Sequence, residues 1–556
     1  MPRTLQPNPT RDEFVALAKA ARAGRTDADP HAVVAIPVGV RLLSDQLTPV
    51  LAYRRLVARD ERTAPSFLFE SVEGGDRQGR YSVLGAHPSI EVRARGSDVE
   101  VRRRAAVGSG AAHHPDDTLR ETSDDPLGRV RAETAHLRFL RPPGRPGRLL
   151  PDAPLGGWFG FASYDSVRYA EPERLGWDRA PADDRSLPDV HFGFYDRVVV
   201  FDHVEKVVHA VRLAFVPEGS DPGAAHDAAA ADLARTVDDL QTHSKPLPAG
   251  LVGPGLDAAF DPASLRSNLT RDDHAAMVER AREYIRAGDI FQVVLGQRFE
   301  RTSPADPFDV YRALRAVNPS PYMAYLQASG CILVASSPEI LCRVRRDGPA
   351  GELVLTNRPL AGTRKRGSTD EEDVALEREL LADEKERAEH VMLLDLGRND
   401  VGKVARLGSV DAPAVMEIER YSHVMHISST VTGVLRDGLD CWDALRATLP
   451  VGTISGAPKL RAMQIIDELE TVRRGPYGGG FGYVSADGEM DIALALRTIV
   501  VPTHYRPSPS AWRYDIQASG GIVYDSDPGA EYDETVNKAS AMVRAIDLAE
   551  SAFGSA

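Results

Sequence analysis

The chain has 556 residues, 42% of them apolar and 27% charged, which excludes collagen-like and wholly disordered classes and predicts two to four domains or one unusually large one. Its formal charge of −14 repels nucleic acid and anionic membrane, and Arg102–Arg104 is too short a basic run to reverse that, so neither is an expected partner. No apolar run is long enough to span a bilayer, MPRTLQPNPTRDEF lacks a secretory core, and Cys331, Cys342 and Cys441 are too scattered for a disulfide framework or zinc site; a cytoplasmic location is expected.

Residues 1–30 read as a mobile lead-in with one helix, Asp12 to Ala21. Strand-like alternation in Val33–Ile36, Tyr81–Gly85, Gly156–Phe161 and His191–Phe201 defines an N-terminal region, 31–216. Within it Arg93–Pro154, rich in Arg, Pro and Gly, reads as a loop-heavy insertion. Residues 217–262 are the expected linker, with one helical piece, and 263–550 the catalytic region. Helices are predicted there at Asp272–Ala287, Glu371–Leu396, Ala444–Leu449, Lys459–Leu469 and Asp533–Leu548. Strands are predicted at Phe291–Phe299, Tyr322–Gln327, Ile332–Ala335, Leu353–Thr356, Gly480–Ser485, Ile492–Val501 and Tyr514–Gln517. The mixture has no βαβ period, so the expected class is α+β with antiparallel sheets.

The densest chemistry lies in DEKERAEHVMLLDLGRND, residues 383–400, where Glu386, Glu389 and His390 stand at i, i+3 and i+4 on one helix face. Glu531 and Glu534 repeat the i, i+3 spacing on another helix, whose apolar stripe is Val536, Ala539, Val543 and Ile546. Two carboxylate pairs without a Cys or His cluster suit a hard cation such as magnesium; charged, solvated helix faces are the plainer reading of the same spacing. PYGGGFGYVS, GTISGAPK and ASGGIVYDSDPG are three glycine-rich segments able to cradle anions, none of them a phosphate loop.

Together the strings PLAGTRKRG (359–367), DEKERAEHVMLLDLGRND, GTISGAPKLRAM (452–463) and QASGGIVYDSDPGAEYDET (517–535) resemble the chorismate-binding enzymes, and among them the large, aminating subunits of anthranilate synthases. The resemblance runs from about Ala35 to Leu548. It implies a sandwich of two large, mainly antiparallel sheets with helices outside, and magnesium-dependent conversion of chorismate plus ammonia to anthranilate and pyruvate, the entry to tryptophan. Glu389 and Glu534 would bind the metal, with Glu386 and Glu531 holding its waters; Gly362, Thr363, Tyr477, Arg497, Ser519, Gly520 and Gly521 would hold chorismate. Glu339 in SSPEIL matches the general acid for the 4-hydroxyl, His426 the histidine near the enolpyruvyl group and Thr453 a residue lining that site.

Sister enzymes that activate water carry a lysine where this chain has Gln292, and the para-aminating sister carries one where it has Ala361. Direct ortho amination is therefore expected. An enzyme that releases 2-amino-2-deoxyisochorismate without eliminating pyruvate, and a catalytically silent tryptophan-binding subunit, are the alternatives. FLFESVEGGDRQGRYSVLG (67–85) and NPSPYMAYL (318–326) resemble the family's tryptophan-binding element, which places Ser71, Pro321, Tyr322 and Met323 against that effector and implies feedback inhibition. No cysteine sits in a nucleophile elbow, so a separate glutamine amidotransferase subunit is expected to supply ammonia.

Overall fold

The computed structural model describes residues 5–23, 33–57, 64–71, 79–104, 117–143, 150–242, 249–251, 265–347, 351–421 and 424–554. Among them the strands form two large sheets, of 13 and 12 strands. The first runs through Gln292–Ser303, Trp512–Ile522, Thr498–Pro502, Cys331–Ser337, Tyr322–Ala328, Ser66–Glu70 and Tyr81–Ala86. The second runs through Leu360–Lys365, Val424–Val434, Leu353–Asn357, Ile340–Arg346, Met490–Leu494, Gly480–Ser485, Gly157–Ala162 and Val190–Tyr195. Their inner faces meet in a core where Phe67 stacks on Phe159 at 3.9 Å, with Leu333, Phe481, Ala493 and Val500 around them. Helices Pro307–Val317 and Pro528–Phe553 cover the first sheet's outer face, and Pro126–Thr134 and Cys441–Thr448 pack on the second's. This is the expected α+β sandwich.

Both sequence regions contribute to both sheets. Tyr322–Ala328 pairs with Ser66–Glu70 in one, and Gly480–Ser485 with Gly157–Ala162 in the other. Within the expected lead-in, 1–30, the predicted helix is present as Arg11–Ala23, and it is docked, with Phe14 and Ala18 fully buried against Val33–Leu43 and the helix Pro222–Thr242; residues 1–4 and 24–30 lie outside the described set. The expected loop-heavy insertion holds strands Asp98–Arg103, Asp117–Thr122 and Leu137–Phe139 and the helix Pro126–Thr134; residues 105–116 and 144–149 lie outside the described set.

Two predicted elements are divided. The single helix 371–396 is two, Asp370–Ala382 and Glu384–Gly402, because Asp383 adopts an extended conformation and its carboxylate accepts from the backbone of Lys385 and Glu386, capping the second helix. The single strand 492–501 is two strands in different sheets, Met490–Leu494 and Thr498–Pro502, separated at Arg497, whose φ is +46°. On the long C-terminal helix Pro528–Phe553, Asp527 caps the first turn, and Ala539, Met542, Val543 and Ile546 bury its stripe. Each buried Met, Val or Ile there contributes about 1.5–3 kcal/mol.

Candidate active site

Two of the chain's crossings between the sheets run side by side. One crossing leaves Cys331–Ser337 and enters Ile340–Arg346; the other leaves Met490–Leu494 and enters Thr498–Pro502. Hydrogen bonds from Leu494 N to Glu339 O (3.0 Å) and from Ser336 N to Arg497 O (3.1 Å) tie them together. Glu339 and Arg497 are thus carried on adjoining crossings. Glu339 is 3% exposed, and burial pushes its carboxyl up to about 8. The Thr453 hydroxyl, donating to Oε1 at 2.8 Å, and the Leu360 backbone oppose that rise, while the negative charge of Glu419 adds to it. A carboxyl held this way is still protonated near neutrality, as proton donation requires. Arg497 is partly buried, and desolvation holds its guanidinium below the ordinary arginine range. Among the described residues no carboxylate pairs with it.

His426 lies on Val424–Val434 beside Leu360–Lys365, where the register slips between Ala361 and Thr363. The extra residue, Gly362, has φ +68°, a conformation that favours glycine, and the resulting bulge aims its carbonyl at His426 Nδ1, 2.9 Å away. Thr363 Oγ1 also lies 3.1 Å from Nδ1. With the Nδ1 proton on Gly362, Nε2 is the basic nitrogen. Burial lowers the ring's pKa to about 4, so the imidazole is neutral at working pH. Tyr421, which sequence reasoning missed, packs edge-on against it at 5.6 Å; an isolated tyrosine in an ordinary strand end gives no sequence signal.

The third wall is the strand pair Gln292–Ser303 and Trp512–Ile522, in which Gly296 faces Ser519, Leu295 faces Gly520 and Val294 faces Gly521. Gln292 is buried, with Oε1 lacking a hydrogen-bond partner, and its amide nitrogen would lie 2.4 Å from any Cβ at Gly521. Tyr477 is buried beside Ser519, and desolvation lifts its phenol to about 12.

The four glutamates converge from the first two turns of their helices, Glu384–Gly402 and Pro528–Phe553. Burial raises the carboxyl of Glu389; Lys385 opposes the rise, and Glu386, Glu531 and Glu534 reinforce it. Burial likewise raises Glu531, whose Oε2 has no hydrogen-bond partner, against a hydrogen bond from Ser526. A Cβ on Gly520 would stand 2.8 Å from that oxygen and 4.0 Å from Glu534 Oε1, and one on Gly362 would stand 3.3 Å from Glu386 Oε2. Glu531 and Glu534 therefore lie against Gly520 of the glycine cradle, and Glu386 against Gly362.

Glu534 is also held by Lys538 (2.6 Å) and Glu386 by Arg364 (3.3 Å), and with the side chains so placed no group of three or more His, Cys, Asp or Glu among the described residues is gathered closely enough to hold a metal ion. An all-oxygen, open, partly orphaned set fits magnesium, which keeps several waters and shares substrate oxygens. Lys538, four residues after Glu534, was legible as an i, i+4 pair; Arg364 lies inside PLAGTRKRG without a spacing signal. His390 does not join the group. It is fully buried, with Nε2 2.6 Å from Ser429 Oγ.

Ser71, Pro321, Tyr322 and Met323 line one cavity of about 580 Å³ between the sheets, which also reaches Glu339 and Tyr421. Tyr322 donates to Asp491 Oδ1 (3.1 Å) and accepts from Arg343 (2.7 Å). Residues 72–78 of the expected effector element lie outside the described set.

Adjoining sheet-to-sheet crossings that carry a buried carboxyl and an arginine without a carboxylate partner, together with the glycine cradle and the four carboxylates, make up the candidate active site of an enzyme. The chain belongs to the chorismate binding enzyme family, whose sequence profile matches residues 89–544. It is 53% identical to anthranilate synthase alpha subunit 1, chloroplastic, of Arabidopsis thaliana, over 93% of this chain and 86% of that one. It is 40% identical to anthranilate synthase component 1 of Acetivibrio thermocellus, over 92% and 96%. The solved structure of anthranilate synthase component I from Streptococcus pneumoniae TIGR4 superposes with a TM-score of 0.66 at 34% identity, covering 90% of this chain and 98% of that one.

Proposed function

We propose that the chain is the aminating subunit of an anthranilate synthase, joining chorismate and ammonia to give anthranilate, pyruvate and water. The observation that carries this reading is the pairing of Glu339, a carboxyl with its pKa near 8, with Arg497, a cation lacking a carboxylate partner, on adjoining crossings. Arg497 and the backbone of Ser519–Gly521 would take one carboxylate of the substrate. Magnesium, held by Glu389 and Glu534 with Glu386 and Glu531 on its waters, would supply electrostatic binding of the other.

Glu339 would donate its proton to the departing 4-hydroxyl as ammonia bonds to the ortho carbon, and the Thr453 hydroxyl would stabilise the carboxylate left behind. Neutral His426, fixed through Nδ1, would present Nε2 to take the ring C–H proton as the ring's C–O bond breaks, and the departing enolpyruvate would take up a proton at its methylene to become pyruvate. Gln292 supplies no base for water, which supports amination over hydration. The relatives' names support the same assignment.

Ammonia would come from a separate glutamine amidotransferase subunit, and tryptophan would inhibit from the cavity at Ser71 and Pro321–Met323. The purified chain with chorismate, magnesium and an ammonium salt tests the reading: anthranilate fluorescence with equimolar pyruvate, suppressed by tryptophan, is expected. Chorismate loss without pyruvate would identify an enzyme that stops at the aminated intermediate, and no turnover would refute catalysis.

A further inference from the structure

Glu470 and Arg474 form an ion pair whose side chains are 3% and 1% exposed. A buried pair of this kind contributes little to stability compared with apolar residues of the same volume, because both charges must be desolvated. What it does here is visible in its hydrogen bonds. Arg474 Nε and Nη2 donate to the Glu470 carboxylate at 2.9 and 2.6 Å. Nη1 donates to Ile454 O, and Nη2 also to Val294 O, both at 2.7 Å. Glu470 Oε1 accepts from Gly296 N at 3.0 Å, and the guanidinium lies over the Tyr164 ring at 4.6 Å.

Every main-chain group held by the pair belongs to a segment that lines the site. Ile454 adjoins Thr453, whose hydroxyl rests on Glu339. Val294 and Gly296 face Gly521 and Ser519 across the sheet. Only a planar fork can reach two carbonyls on different segments and a carboxylate at once.

We propose that the Glu470–Arg474 pair is a positioning element for the reaction: it fixes the Ile454 carbonyl so that Thr453 stays bonded to Glu339, and it fixes the strand that backs the Ser519–Gly521 cradle. The proposal rests on the reading of Glu339 as proton donor, and it assigns Arg474 no contact with substrate. Glu419 and Tyr421 also face Glu339, from the strand end beside it. They are unchanged in the variants that test the idea, and a lysine at 474 retains the positive charge.

The test is the pH profile of kcat for the full chain with magnesium and ammonium, in Thr453→Val, Arg474→Lys and the two combined. Loss of the Thr453 hydroxyl removes a donor to the ionised carboxylate, so Thr453→Val should move the alkaline limb upward by about 0.5–1 pH unit. Arg474→Lys should move it in the same direction and lower kcat about tenfold or more. The double variant should move the limb no further than Thr453→Val. If Thr453→Val moves the limb and Arg474→Lys does not, or if the two shifts add, the positioning proposal is overturned. If Thr453→Val leaves the limb in place, the Glu339 assignment fails and takes the proposal with it. Should Arg474→Lys not fold, the neutral Glu470→Gln/Arg474→Gln variant removes both buried charges and carries the same expectations.

Discussion

Gly520→Ala separates the metal site from the fold. Gly520 lies within the strand Trp512–Ile522, where alanine suits the backbone, and an added Cβ would come 2.8 Å from Glu531 Oε2 and no closer than 4.0 Å to Glu534 Oε1. The obstructed atom is the end of a flexible side chain, so relief requires the Glu531 carboxylate to retreat by roughly 0.6 Å to reach van der Waals contact. Glu531 is assigned to the waters of the metal, and disturbing such a partner typically weakens metal binding about 10–100-fold, or ~1.4–2.7 kcal/mol. The magnesium concentration for half-maximal anthranilate production should rise by that factor at saturating chorismate, with little change in Tm.

Gly482→Ala is the control with the opposite signature. Its Cβ would meet the Asp491 carbonyl at 2.1 Å in the middle of a sheet, so it should lower Tm by many degrees. Unchanged magnesium dependence in a folded Gly520→Ala would refute the placement of Glu531 beside the metal.

Glu339→Gln should reduce kcat by about 10²–10⁴-fold, because the amide cannot donate an acidic proton. In the wild type, Glu339 is protonated below its pKa of about 8, so kcat should hold below that pH and fall as pH rises through it; Glu339→Gln should lose that limb. Arg497→Lys should raise KM for chorismate about 10–100-fold through loss of the bidentate fork, and an unchanged KM would refute the carboxylate contact. Ser71→Phe should leave turnover intact and blunt inhibition by tryptophan, as read from the tryptophan concentration that halves the rate.

The carboxylate pairs, the glycine cradle and most helices were legible because each announces itself within one helix turn or one short string. The break at Asp383 had a local signal, an Asp with Glu three residues on, which the helix-forming residues on both sides hid; its carboxylate caps Lys385 and Glu386 and divides the run in two. The rest of what escaped depends on the surrounding fold. The apolar pattern of 492–501 is interrupted only at Arg497 and Thr498, too briefly to announce that a positive φ at Arg497, a non-glycine, moves the chain from one sheet to the other. His390 has the spacing of a metal-facing residue, but it points to Ser429. Glu470 and Arg474, four apart, look in sequence like a surface ion pair, and only the fold buries them.

The seam between Ser66–Glu70 and Tyr322–Ala328 has a consequence for biosynthesis. Leu68 lies opposite Tyr325, roughly 250 residues further along the chain. During translation at about 5–20 residues per second, the N-terminal strands wait ten seconds or more with one edge unpaired. Such an edge is a template for self-association, so nascent chains of this protein are expected to occupy a holding chaperone until the partner strand emerges from the ribosome.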